Sequence, residues 1–182
     1  MNFINNNLKK AGIFNTALIA ITLVLQIYQM FVTNYIPTFE FINDVIVIVA
    51  LMFALFYSFY GYKKSVAKYY KGFIILTFIT FTISAVSHVQ YFANAKFNAF
   101  ASIARVIPIA LLAFKKDFGR KNSVICALVT FILTFAMFIE SFIQVSSYPV
   151  LIILSFNRVL ISSIVLLFVE AKYDDKEARG TK

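Results

Sequence analysis

Three charged residues stand inside long apolar stretches and are the first candidates for chemistry in this sequence: Arg105, Glu140 and Arg158. A charge inside a membrane-spanning helix is costly, so it faces protein or a water-filled cavity and often marks a site for an ion or solute. Two arginines against one glutamate leave one positive charge in surplus. A carboxylate or phosphate group on a ligand would neutralise that surplus.

Uncharged polar residues gather near these charges, in one half of the apolar stretches. Many are three, four or seven residues apart and therefore share one face of a helix. We predict an outward-facing ligand-binding site for an anionic or zwitterionic small molecule. Its candidate residues are Gln26 and Gln29; Ser84 and His88; Asn98, Ser102 and Arg105; Glu140 and Gln144; and Asn157 and Arg158.

The short connection 146–149 sets the register between the two apolar stretches that it joins. Antiparallel neighbours on either side of it bring Glu140 level with Asn157 and next to Arg158, so these two charges are candidates for a direct pair. The same argument around the connection near Asn94 brings Arg105 level with Ser84 and leaves Arg105 no carboxylate in its own hairpin. Its partner must be Glu140 from across the bundle, a backbone carbonyl, water or a ligand.

Each candidate also has a structural interpretation. A Glu140–Arg158 pair can serve only to fix the packing of two helices. His88 is either a hydrogen-bonded structural residue or a proton-linked group, because histidine titrates near neutral pH. The serine, threonine and glutamine side chains can bond one helix to the next. Under this interpretation the polar cluster holds the bundle together and binds no solute.

The elements that position these residues follow from the composition. The chain has 182 residues, of which 61% are hydrophobic and 14% are charged, whereas soluble domains have about 25% charged residues. A membrane-spanning helix needs about 20 apolar residues. We therefore predict an all-α polytopic membrane protein, a single transmembrane domain over 1–182 that ends in a polar cytoplasmic tail, 171–182. The six predicted spans are about 11–33, 41–62, 72–92, 97–114, 123–146 and 150–170.

The basic residues predict the orientation. Of the 17 lysines and arginines, all but Lys96, Arg105 and Arg158 lie before the first span, after the last, or in the second and fourth connections. Lysine and arginine concentrate on the cytoplasmic side of membrane proteins. Both ends of the chain are therefore predicted to be cytoplasmic. This topology signal explains the basic charge, so no nucleic-acid partner is predicted.

Motifs of the common enzyme classes are absent from the sequence. It has no Walker loop, no GxGxxG, no HExxH and no GxSxG. One histidine and one cysteine cannot build a zinc or haem site of several such ligands. We predict no catalytic residues, metal or cofactor, and a protein that is not an enzyme.

Two functions remain open at this level. The first is a solute-recognition or transport component, driven by an ion gradient or by a partner protein or ATPase on the basic cytoplasmic face. The alternative is a non-transporting accessory, immunity-type or anchoring subunit of a membrane complex. With either function the protein has the lipid bilayer as a partner. With the first function it also has a small-molecule solute. The abundance of Phe, Ile, Asn and Lys is typical of an AT-rich genome and leads us to predict a multi-pass protein of a bacterial plasma membrane.

Overall fold

The described part of the chain folds into six helices that follow the apolar stretches. The computed structural model describes residues 2–32, 38–60, 67–90, 96–115, 118–144 and 149–180, and no strand occurs among them. The helices are α1 (Asn2–Val32), α2 (Thr38–Phe59), α3 (Ala67–Gln90), α4 (Lys96–Phe114), α5 (Arg120–Gln144) and α6 (Pro149–Gly180). The all-helical fold class predicted from the sequence is confirmed for these residues.

Five helices are long and apolar enough to cross a membrane. The qualifying segments are Gly12–Phe31, Phe41–Phe59, Ala67–Val89, Lys96–Phe114 and Arg120–Ile143. α1 begins well before residue 11, and α6 continues to Gly180, so most of the polar tail extends the last helix. α1 and α6 are about ten residues longer than the predicted spans because hydropathy detects only the apolar part of a helix.

The exterior and interior of the molecule differ in the way expected of a protein surrounded by lipid. Large apolar side chains face outward: Phe31 is 85% exposed and Ile143 is 72% exposed. Thr22, Ser102 and Arg105 are fully buried. A soluble protein avoids such extended apolar surface, whereas a bilayer accommodates it.

The helices pack in chain order. Each one contacts the next, and α6 packs back against α1, so the arrangement closes on itself. At one end, called the basic end, lie Lys68, Lys115, Arg120 and Lys172. Here aromatic rings fill the centre: Phe73 and Phe168 meet edge-to-face with ring centroids 5.4 Å apart.

The half of the molecule away from the basic end, called the polar half, has a different interior. It contains Gln26, Asp44, Ser84 and Asn157, all buried, together with Arg105. α4 runs through Pro108 as one helix and carries Arg105 one turn before it. Because each connection reverses the chain direction, residues from the ends of α1, α3 and α5 and from the starts of α2, α4 and α6 meet here.

Candidate functional site

Arg105 lies at the centre of the polar half with its side chain fully buried. Its Nη2 atom donates a hydrogen bond to the hydroxyl of Ser84 at 2.9 Å. Its guanidinium carbon lies 4.3 Å from the centroid of the Phe81 ring, which gives a favourable cation–π contact. Both contacts come from α3. The sequence left four partners open for Arg105, and the observed ones are a hydroxyl group and an aromatic ring.

Two nitrogen atoms of Arg105 have no hydrogen-bond partner. Nε and Nη1 are buried and unbonded, and within the part of the chain that the structure describes no carboxylate forms a salt bridge with Arg105. A buried donor without a partner costs about 1–3 kcal/mol, and more when it carries charge. Such a group in a native protein calls for a partner such as water or an ion.

A small cavity of about 30 Å³ lies against Arg105. It is called the first cavity. Side chains from α1, α2, α3, α4 and α6 line it, so most of the bundle contributes. Its uncharged polar residues are Gln26, Gln29, Asn43, Thr80 and Ser84, and its charged residues are Asp44, Arg105 and Arg158.

A second, smaller cavity of about 10 Å³ lies on the other side of the arginines. Its polar residues are His88, Arg105, Thr134, Ser141, Ser155 and Arg158. Arg105 and Arg158 line both cavities. The two arginines therefore form a common wall between two polar spaces inside the bundle.

Amide side chains fix the walls of the first cavity. The Nε2 atom of Gln29 donates to both carboxylate oxygens of Asp44, at 3.2 and 3.3 Å, and so links α1 to α2. The Nδ2 atom of Asn157 donates to the Oε1 atom of Gln26 and links α6 to α1. This bond uses only the oxygen of Gln26. The Nε2 atom of Gln26 remains buried with no hydrogen-bond partner.

His88 is bonded within its own helix. Its Nδ1 atom lies 2.8 Å from the backbone oxygen of Ser84, and because a carbonyl only accepts, Nδ1 carries the proton. The ring also lines the second cavity. His88 therefore has the contacts of a structural histidine and, at the same time, a position beside the arginines.

Asn98, Ser102 and Glu140 are not among the described residues that line the two cavities. Asn98 and Ser102 are buried on α4, where the Ser102 hydroxyl donates to the backbone oxygen of Ala99 at 2.9 Å. Glu140 is half-buried on α5. Glu140 and Arg158 each have interaction partners of their own, and a direct pair between them remains a prediction. Gln144 ends α5, and its side chain lies outside the described residues.

Sequence reasoning left important residues of this site out of the candidate set. Asp44 is the carboxylate of the first cavity, and an acidic residue at the outer end of an apolar stretch was the signal for it. Phe81 stacks on Arg105, but nothing distinguishes it from the other 21 phenylalanines in the sequence. The aromatic contact depends on which face of α3 meets α4.

Hydrogen bonding and charge neutralisation are the chemistry that this arrangement supports. Among the described residues, no group of three or more His, Cys, Asp or Glu side chains could hold a metal ion. Comparison of the chain with protein-family models, with curated proteins and with solved structures finds no match. Any function must therefore be argued from the site itself.

Proposed function

We infer that this chain is a six-span membrane protein, with both ends in the cytoplasm, that recognises a small anionic or zwitterionic solute in its polar half as part of a transport system. One observation carries the proposal: the buried guanidinium of Arg105 keeps two donor atoms without partners beside a polar cavity. In this proposal α6 is the sixth span and the basic end is cytoplasmic.

The energetics favour a ligand over an empty site. A buried charge with no counter-ion is among the most destabilising features of a protein interior. Arg105 has a planar, charged head group whose N–H donors suit a carboxylate or a similar anion. Ser84 and Phe81 hold that head group in place. Nε and Nη1, which lie on opposite edges of it, are the unbonded donors that a ligand can meet.

Contacts at the basic end support the proposed orientation. The ammonium group of Lys172 lies 4.8 Å from the Tyr70 ring centroid, and that of Lys68 lies 5.2 Å from the Tyr69 centroid. Basic and aromatic side chains concentrate where a helix meets the membrane interface, and an excess of lysine and arginine marks its cytoplasmic side. With that end inside, the first cavity lies toward the outer face.

Cysteine labelling in intact cells tests this orientation. In a Cys126→Ala background, Lys96→Cys should react with a membrane-impermeant maleimide added outside. Lys121→Cys should react only after the cells are permeabilised. Lys96 begins α4 and Lys121 lies in the first turn of α5, and both are exposed, so each thiol is accessible from one side. The reverse pattern would contradict the proposed topology.

The size of the cavity favours a second candidate function. A cavity of about 30 Å³ holds only about two water molecules, and Arg105 has no exposed surface. Both facts are compatible with polar residues that form hydrogen bonds between helices and bind no ligand. The alternative is therefore a non-transporting accessory subunit whose polar half is structural.

Native mass spectrometry distinguishes the two functions. The protein is expressed in its own host, released in mild detergent and compared with Arg105→Gln. We expect a reproducible small-molecule adduct that the variant lacks. Thr130→Val is the matched control. Thr130 is fully buried, its hydroxyl donates to the backbone oxygen of Cys126, and it is not among the described residues that line the two cavities.

The control variant should keep the adduct. A wild-type chain that carries no adduct, or only lipid or a protein partner, would favour the accessory function. An adduct that survives in Arg105→Gln would place recognition elsewhere in the molecule.

A further inference from the structure

Two buried donors without partners line the same cavity. Arg105 and Gln26 both line the first cavity. Among the described residues, Nε and Nη1 of Arg105 and Nε2 of Gln26 have no hydrogen-bond partner. Their side chains are 0% and 3% exposed, respectively. The donors come from α4 and α1, so they belong to a space between helices. A ligand that meets them must accept hydrogen bonds.

The volume of the first cavity limits the size of that ligand. One water molecule needs about 10–15 Å³ of such space, and the cavity offers about 30 Å³. Pockets for drug-sized ligands measure about 300–1,000 Å³. An ion of one to four heavy atoms matches the space. An amino acid or a phosphorylated metabolite would require the helices to separate.

The charges around the two cavities favour an anion. Arg105 and Arg158 line both, and Asp44 is the carboxylate among the residues that line the first. Among the described residues that line the second cavity there is no carboxylate. Both oxygens of Asp44 accept from the Nε2 atom of Gln29. The described charged side chains that line the first cavity are therefore two cations and one anion.

Resting on the proposed function, and narrowing its substrate class, we propose that the first cavity binds one small monovalent anion of the size of chloride, formate or nitrate. The guanidinium of Arg105 and the side-chain amide of Gln26 hold it. The ion accepts hydrogen bonds from the Gln26 amide and from one of the two unbonded Arg105 nitrogen atoms, and it offsets the repulsion between Arg105 and Arg158. Arg105 and Arg158 also line the second cavity, together with His88. An anion held in the first cavity therefore lies next to residues that line the second.

Thermal unfolding of the purified full-length protein in detergent tests this assignment. Gluconate, which is too large for the cavity, is the bulk anion and is replaced stepwise by chloride, formate or nitrate at constant ionic strength. The Tm should rise and saturate with at least one of the three. In Gln26→Leu the apparent Kd should be weaker by about tenfold or more, since a hydrogen bond to a charged group contributes about that factor.

Arg105→Gln should show no saturable rise, and Thr130→Val should respond like the wild type. Because Arg105→Gln alters a fully buried charged residue and can unfold the chain, Gln26→Leu provides an independent test. The assignment is overturned by a wild-type Tm that does not saturate with any of the three anions. Equal responses in the wild type, Gln26→Leu and Arg105→Gln would overturn it too.

The two proposals fail in different ways. If small anions give no saturable shift while a larger adduct is lost in Arg105→Gln, the site recognises a solute and only its size class is wrong. If no small anion binds and no adduct depends on Arg105, both proposals fail.

Discussion

Replacing Arg105 with methionine is expected to abolish anion binding while leaving the ligand-free protein at least as stable as the wild type. The substitution removes the donors Nε and Nη1, which have no hydrogen-bond partner among the residues that the structure describes. It also removes a fully buried charge. Exchanging buried charged groups for apolar residues of similar volume is often neutral or stabilising by about 1–4 kcal/mol. Methionine is flexible enough to fill the space that the arginine leaves.

The measurement is unfolding in detergent in gluconate buffer, alongside anion titrations of both proteins. The wild type should gain stability as chloride, formate or nitrate is added, by linkage between binding and folding. The methionine variant should start at or above the ligand-free wild type and gain nothing. Arg105→Lys is the companion variant: it keeps the charge but has no planar fork, so it should bind weakly.

A different result would identify Arg105 as structural. If the methionine variant lost several kcal/mol in gluconate, Arg105 would be stabilising the ligand-free bundle by more than its bond to Ser84 on α3. Hydrogen bonds between membrane helices contribute about 0.6 kcal/mol on average. One such bond cannot account for a large loss, so a loss of that size would point to a wider network around Arg105.

The fold was readable from the sequence because hydropathy is a local property. Each apolar stretch predicted one helix, and each of the six helices contains one such stretch. The predicted spans do not mark the ends of the helices for the same reason: the polar residues from Asn2 to Lys10 and from Lys172 to Gly180 are helical without being apolar. Backbone hydrogen bonding can continue a helix beyond the apolar segment that lies in the bilayer.

The site was only partly readable because it depends on helices that are distant in the sequence. A short loop fixes the relative depth of two neighbouring helices, and this is how Ser84 was predicted level with Arg105, the residue that it contacts. No loop relates α1 to α6, so the bond from Asn157 to Gln26 could not be predicted. Asp44 differs from this case: it lies only 15 residues from its partner Gln29 and at the outer end of an apolar stretch, so the sequence carried a signal for it that the candidate set left out.

Asp44→Asn is expected to strengthen the binding of a small anion. Asp44 and Arg105 line the same cavity, so an ionised Asp44 repels any anion that Arg105 attracts. Two unit charges near a protein surface interact by about 4 kcal/mol at 4 Å and by about half of that at twice the distance. Removing the repulsion should therefore lower the Kd by about tenfold or more. Asparagine keeps an oxygen that can accept from Gln29, so the wall of the cavity is preserved.

The same substitution distinguishes an anionic ligand from a zwitterionic one, because it should change their affinities in opposite directions. A zwitterion would place its cationic group at Asp44 and its carboxylate at Arg105, so Asp44→Asn would weaken its binding. Anion and zwitterion titrations of the wild type, Asp44→Asn and the charge-preserving control Asp44→Glu measure that sign directly. If chloride, formate or nitrate bound more tightly to Asp44→Asn alone, the negative charge of Asp44 would be a determinant of selectivity. That charge would limit how strongly the arginines retain an anion. A solute that passes through the protein must also be released, and a carboxylate beside the binding arginine favours that release.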